Sequence, residues 1–413
     1  MYKGKYIALI NYKKIMNLDK AKFDTICVKE NIEIKSGESH ILPIHATSSY
    51  SYENIEDSID VFTGQKEGFV YSRFSNPTVK SVEKKLASLE CINLPHIGEC
   101  IMTGSGMSAI STLVISQLES GDELLTQYDL YGGTTEVLKK VLAKFGIKIN
   151  FINLEDLNEV ESALKSNPKI KLIYFESPSN PTLNCLDIKG ISKLAQEHNI
   201  LTAIDNTFST AYLQRPFNMG VDFILYSTTK YLNGHGNSIA GAILMKDANY
   251  KKQVWTTMKL LGTNCNAFDA WLLHNGIKTL TLRMDKHCAN AMKIAQHLDQ
   301  HKRIKSVNYP GLSHNKYNSI ASKQMSQFGA MLSFEIDGTI DDAKRFMNKT
   351  QLCTIAATLG NVDTLLLHPA TASHLNIKKE IREANGITDG LIRMSVGIEN
   401  VQDIIDDIEL GLA

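Results

Sequence analysis

Seven short apolar runs recur between residues 99 and 245: "ECIM" at 99–102, "ELLT" at 123–126, "KINFI" at 148–152, "KLIYF" at 171–175, "LTAI" at 201–204, "DFILY" at 222–226 and "GAILM" at 241–245. Longer amphipathic stretches separate them. This alternation constrains the fold more than any other feature. It predicts an α/β domain with a mostly parallel sheet flanked by helices, and such sheets collect their ligands beyond the carboxyl ends of the strands. Asn180, Asp205 and Lys230 all stand just after such ends.

The flanking regions read differently. Residues 1–75 carry polar stretches with aromatic or Gly punctuation and little periodicity, so they read as an arm rather than a core; the first 20 have no assigned purpose. From Val79, the apolar positions Val82, Leu86 and Leu89 share one helical face. A long helix-compatible stretch, 249–303, leads into "GAMLSFEI" and "GLIRMSVGIE", a second set of strands with helices in a smaller α+β domain. The expected division is an arm at 1–75, a large domain at 76–281 and a C-terminal domain at 282–413.

The 413 residues are 43% hydrophobic and 21% charged, enough for a large core. Lys plus Arg and Asp plus Glu number 44 each and no dense basic run occurs, so the electrostatic footprint of a nucleic-acid binder is missing. No stretch reaches the roughly 20 apolar residues of a membrane span, and "YIALI" near the start is too short for a signal-peptide core. A cytoplasmic protein acting on small molecules, or pairing with its own copies, is expected. Seven scattered cysteines without a C-x-x-C pair argue against a disulfide framework or a structural zinc site.

Chemistry concentrates at the strand ends. Lysine condenses with carbonyl compounds when its amine can lose a proton, although a Lys in "STTK" is more often a surface or cap residue. Ser227 and Thr229 beside Lys230 offer hydroxyls suited to a phosphate. In "TGSGMSAI", Gly104 and Gly106 let backbone N–H groups converge at a helix start, a second phosphate cradle. A strand-to-helix turn explains that Gly pair equally well, and neither nucleotide-binding glycine fingerprint is matched. Asp205 closes "LTAID", where a buried carboxylate needs a partner; a cationic ring nitrogen would serve, as would a simple turn cap. Taken together, an amine, two phosphate-holding segments and an acid describe pyridoxal 5'-phosphate, with Lys230 on the aldehyde and Asp205 on the pyridine nitrogen.

"YSRFSNPT", "GSGMSAI", "LYGGT", "ESPSNPT", "DNTF", "STTKYLNGHGN", "GIKTLTLRMDKHCANA" and "IRMSVGIE" occur in that order. In this series, from about residue 45 to residue 400, the chain resembles the Cys/Met-metabolism family of pyridoxal-phosphate enzymes. The resemblance implies the fold-type-I, aspartate-aminotransferase-like architecture and a homotetramer built as a dimer of dimers, with no nucleic-acid or membrane partner. It further implies that Lys230 joins the cofactor and shuttles protons, that Asp205 keeps the pyridine nitrogen protonated, and that Tyr131 stacks on the ring and assists proton transfer. Gly106, Met107, Ser227 and Thr229 would bind the phosphate. Tyr71 and Arg73 would reach the phosphate in the neighbouring subunit, giving the arm a purpose. Arg393 would clamp the substrate α-carboxylate bidentately, with Asn180 and the backbone near Thr358 assisting.

The resemblance implies elimination or replacement at the γ-carbon of a sulfur amino acid or homoserine derivative. Methionine γ-lyase leads; cystathionine γ-synthase or γ-lyase and the O-acylhomoserine sulfhydrylases are the alternatives. An aminotransferase or a silent scaffold represents a different class. Ala357 in "AATLG" replaces the Glu common in cystathionine enzymes. Gly133 replaces the Cys usual in methionine γ-lyases, and Met258 and Lys259 stand where their Lys-Asp pair would be. "HPATASH" at 368–374 is similar to O-succinylhomoserine sulfhydrylases.

Overall fold

The computed structural model describes residues 21–29, 39–96, 98–375 and 378–413. All seven apolar runs are strands: β1 (Glu99–Thr103), β2 (Glu123–Thr126), β3 (Lys148–Phe151), β4 (Ile170–Glu176), β5 (Leu201–Asp205), β6 (Phe223–Ser227) and β7 (Gly241–Met245). They form one sheet in the order β1-β7-β6-β5-β4-β2-β3. The pairs among β2 to β6 are parallel, and β7 runs antiparallel to both its neighbours. Alternate residues of a strand point to opposite faces. Accordingly Ile173 and Phe175 join one apolar cluster while Leu172 and Tyr174 join another, so helices cover both sides of the sheet.

The helix Pro77–Glu90 begins where Asn76 accepts the Thr78 N–H and Pro77 fills the first turn, and it buries Val79, Val82, Leu86 and Leu89 as the periodicity predicts. The arm departs from its expectation. The helix Phe23–Lys29 buries Phe23, Ile26 and Cys27 in the main core, and Ile55–Thr63 is a second helix, capped by Asn54, with no buried residue. Seven residues of helix were too few to show a period. Residues 1–20 lie outside the described residues.

The stretch 249–303 is three helices rather than one: Lys251–Leu261, Ala267–Ile277 and Leu280–Asp299. Gly262 ends the first at φ +71°, and Asn266 starts the second by accepting the Asp269 N–H. The third helix crosses residues 281 and 282. The second sheet comprises β8 (Ile304–Asn308), β9 (Met331–Ile336), β10 (Thr354–Ile355), β11 (Leu365–Leu367) and β12 (Leu391–Ser395), in the order β10-β11-β12-β9-β8. Only the short β10–β11 pair is parallel. All seven cysteines are buried and free, and among the described residues no helix is long and apolar enough to cross a membrane.

Candidate active site

The carboxyl ends of β4, β5 and β6 open into a cavity of about 370 Å³ whose far wall comes from the second sheet. Asp205 is the last residue of β5 and stands in register with Glu176, the last of β4. One Asp205 oxygen accepts the Thr207 N–H at 3.0 Å. Burial raises the Asp205 carboxyl above its ordinary range.

Lys230 follows β6 in a turn closed by its own N–H to the Ser227 carbonyl, 3.2 Å, and by the Gly234 N–H to the Lys230 carbonyl, 2.8 Å. Its amine donates to Thr358 Oγ1 at 2.9 Å. Burial, aided by the Arg393 charge, pulls the amine down to about 8. The shift matters because near neutral pH about one ordinary lysine in a few thousand is uncharged, against roughly one in ten at that value. Thr358 comes this close because Gly360, at φ +79°, lets its loop settle on the lysine turn; a Cβ there would lie 2.6 Å from the Tyr231 nitrogen.

Arg393 lies mid-strand in β12, opposite Leu367 and Ser333. Its guanidinium donates to Asn180 Oδ1 at 3.3 Å and to the Thr358 carbonyl at 2.8 Å, while its buried Nε has no partner. Burial lowers it to about 10. Asn180 is held in a turn by the Ser179 N–H to the Asn184 carbonyl, 3.0 Å.

On the opposite wall, Ser105 accepts the Ser108 N–H at 3.0 Å and starts the helix Gly106–Gln117. A Cβ on Gly106 would meet Ser227 Cβ at 2.8 Å, so only glycine lets this helix start lie against the end of β6. Ser227 and Thr229 both line the cavity, although the Thr229 hydroxyl already bonds Ala240, accepting its N–H at 3.1 Å and donating to its carbonyl at 3.3 Å. Tyr131 projects from the start of the helix Gly132–Lys140 and is 45% exposed. Its ring leans over Gly133, where a Cβ would fall 2.6 Å from Tyr131 Cε1.

Ten of the twelve residues singled out from the sequence therefore line one cavity: Gly106, Met107, Tyr131, Asn180, Asp205, Ser227, Thr229, Lys230, Thr358 and Arg393. Tyr71 and Arg73 do not. Arg73 instead donates to the Lys259 carbonyl and lies 5.0 Å from the Phe74 ring centre, and Tyr71 is exposed. Ala357 lines the cavity, whereas Met258 is buried elsewhere and Lys259 lies over the Trp255 ring. Sequence reasoning passed over Glu176 and Ser105, while Thr207 is the partner in the turn cap that the sequence offers for Asp205. Glu176 opens the "ESPSNPT" motif, so a carboxylate at a strand end was the available signal.

The model of the Cys/Met metabolism PLP-dependent enzyme family matches residues 24–413. This chain belongs to that family. An L-methionine gamma-lyase of Fusobacterium nucleatum subsp. polymorphum is 41% identical over 374 residues, 90% of this chain and 93% of the relative. A cystathionine beta-lyase of Lactococcus lactis subsp. cremoris is 41% identical over 372 residues, again 90% and 93%. Among solved structures, a putative O-acetylhomoserine (thiol)-lyase of Campylobacter jejuni bearing a pyridoxyl-lysine monophosphate matches at TM-score 0.90 and 32% identity, over 95% of this chain and 99% of that one. A cystathionine gamma-lyase from Lactobacillus plantarum complexed with L-serine matches at TM-score 0.87 and 37% identity, over 94% and 98%.

The cavity of this family member fits pyridoxal phosphate. Its amine has only a hydroxyl partner, its strand-end carboxyl has a backbone N–H but no cation, and a helix start lies against the strand end and turn that carry two hydroxyl residues, a close approach that Gly106 permits.

Proposed function

We propose that this enzyme eliminates the γ-substituent of L-methionine or a similar sulfur amino acid, from methionine taking up one water and releasing methanethiol, 2-oxobutyrate and ammonia. The observation that carries the reading is the convergence of the Lys230 amine, the Asp205 carboxyl and the Arg393 guanidinium on one cavity. Bound pyridoxal phosphate supplies an electron sink for charge developing on the substrate carbons.

The residues do the rest. Asp205 would hold the protonated ring nitrogen. Gly106, Met107, Ser227 and Thr229 would hold the phosphate. Arg393, fixed by Asn180 and the Thr358 carbonyl, presents its fork to the substrate carboxylate and thereby aims Cα at Lys230. Lys230 takes the Cα proton and then a Cβ proton; a lowered amine suits it to both transfers. Tyr131, at the cavity mouth, passes a proton toward the departing sulfur.

The small uncharged side chain of Ala357 supports a short apolar substrate over one with a distal ammonium group, since no carboxylate stands at that position. A second reading is cleavage of cystathionine, favoured by the 41% identity to the Lactococcus cystathionine beta-lyase. A homotetramer in the cytoplasm, built of dimers in which the arm lends Tyr71 and Arg73 to the neighbouring cavity, completes the proposal, together with the division at 75/76 and 281/282. It is supported by the position of both side chains away from their own cavity.

A product assay on cofactor-loaded protein tests the reaction, with methionine, cystathionine, and O-acetyl- or O-succinylhomoserine plus sulfide as separate substrates. Methanethiol and 2-oxobutyrate from methionine alone are expected. Inert methionine with homocysteine formed from an acylhomoserine would overturn the elimination reading.

A further inference from the structure

Glu176 is the cavity-wall residue whose engagement the proposed reaction leaves unexplained. Both its carboxyl oxygens lie 3.0 Å from the Tyr131 backbone nitrogen, and Thr134 Oγ1 stands 3.4 Å from one of them. Its own N–H donates to Gln127 Oε1 at 2.9 Å, and the Gln127 amide in turn donates to Asp129 Oδ1 at 2.9 Å. Glu176 is 5% exposed.

The adjacent strand places Asp205 beside it. Parallel neighbours in register put their side chains on the same face, and both residues line the cavity. Two carboxylates this close in a dry site do not both ionise readily. The groups acting on Glu176 are Asp205 from β5, Asp129 from the loop after β2, the Tyr131 N–H and the Thr134 hydroxyl; two residues back on the same face of β4 lies fully buried Tyr174. None of these is a cation.

We propose that Glu176 is a positioning residue that works as a neutral carboxylic acid: it carries the one proton shared by the Glu176–Asp205 pair, leaves Asp205 as the single negative charge, and fixes Tyr131 through its backbone amide. Burial raises both carboxyls, and the Asp205 charge raises Glu176 further. Asp205 is the one that would meet the cationic ring nitrogen and so keeps its charge, which leaves the shared proton on Glu176. A second negative charge beside Asp205 would be buried without a cation and repelled by its neighbour, and a neutral acid avoids that cost while keeping the tyrosine clamp.

This inference rests on reading the cavity as the cofactor site, and its test does not require turnover. Infrared difference spectra between wild type and Glu176→Gln, taken on both the cofactor-free and the loaded protein near neutral pH, report the protonation state directly. A protonated-carboxyl C=O band present in wild type and absent from the variant is expected. Loss of carboxylate bands alone would overturn the proposal. Should Glu176→Gln not fold, the same band followed against pH in wild type and Asp205→Asn gives the answer. Removing the neighbouring charge moves its disappearance to lower pH, and an unmoved band overturns the pairing.

For the positioning role, kcat/KM falls about threefold in Glu176→Gln and on the order of a hundredfold in Glu176→Ala, because a neutral amide still accepts the Tyr131 N–H. Equal losses in the two variants would show that the charge, not the clamp, matters. A chain that turned over no sulfur amino acid would sink the proposed reaction and leave the infrared band in place.

Discussion

The two sheets deliver functional groups by different geometry. In the seven-stranded sheet, β4, β5 and β6 run parallel, so Glu176, Asp205 and the turn carrying Lys230 emerge along one edge with no further device. The five-stranded sheet is mostly antiparallel, so its strand ends alternate between edges, and it reaches the cavity instead with a mid-strand side chain, Arg393, and a loop residue, Thr358. In the proposed reaction, parallel topology presets the reacting groups, while the antiparallel sheet supplies grip from the side.

That contrast predicts that losses at the first sheet act on the chemical step and losses at the second act on substrate binding. The largest effect is at Lys230. Lys230→Ala removes both proton transfers, and kcat measured by 2-oxobutyrate release should fall about a thousandfold or more. Activity near wild type would break the comparison outright. Next, Arg393→Ala should raise KM for methionine roughly a hundredfold, as expected for about 3 kcal/mol lost with a charge-assisted carboxylate contact, and should change kcat less. Arg393→Lys should recover only part, since an ammonium lacks the planar fork. A loss confined to kcat would place Arg393 with the chemistry instead.

A smaller effect is expected at the phosphate wall. Gly106→Ala brings a Cβ to 2.8 Å from Ser227 Cβ and should weaken cofactor affinity on the order of tenfold in a titration of the cofactor-free protein. The smallest is a stability change. Because the folded Lys230 amine sits at about 8, below its ordinary 10.5, the unfolded chain binds the extra proton between those values. The cofactor-free protein therefore gains stability as pH rises through that window, and the gain falls away as pH drops to 8. Denaturant midpoints across the window should show this rise in wild type and not in Lys230→Met.

Much of this was legible in the sequence. All seven apolar runs are strands because strands buried on both faces need little besides apolar residues, and the motifs ending them hold eight of the twelve residues singled out, Thr358 and Arg393 coming from the second sheet's side of the cavity. The arm was less legible. Phe23, Ile26 and Cys27 pack into the core from a helix too short to show a period. The three helices of 251–299 blurred into one because apolar spacing continues across Gly262 and the turn at Lys278.

The sequence by itself determined the alternating architecture and which residue types stand at each strand end, since periodicity and strand-terminal polarity are local properties of the chain. The tertiary structure alone decided which of those ends are neighbours. Register brings Glu176 beside Asp205 across residues 29 apart in sequence, and folding of the second sheet brings Thr358 to Lys230 and Arg393 to Asn180. The lowered amine and the raised carboxyl pair arise from burial and from charges contributed by distant segments, and no window along the chain contains them.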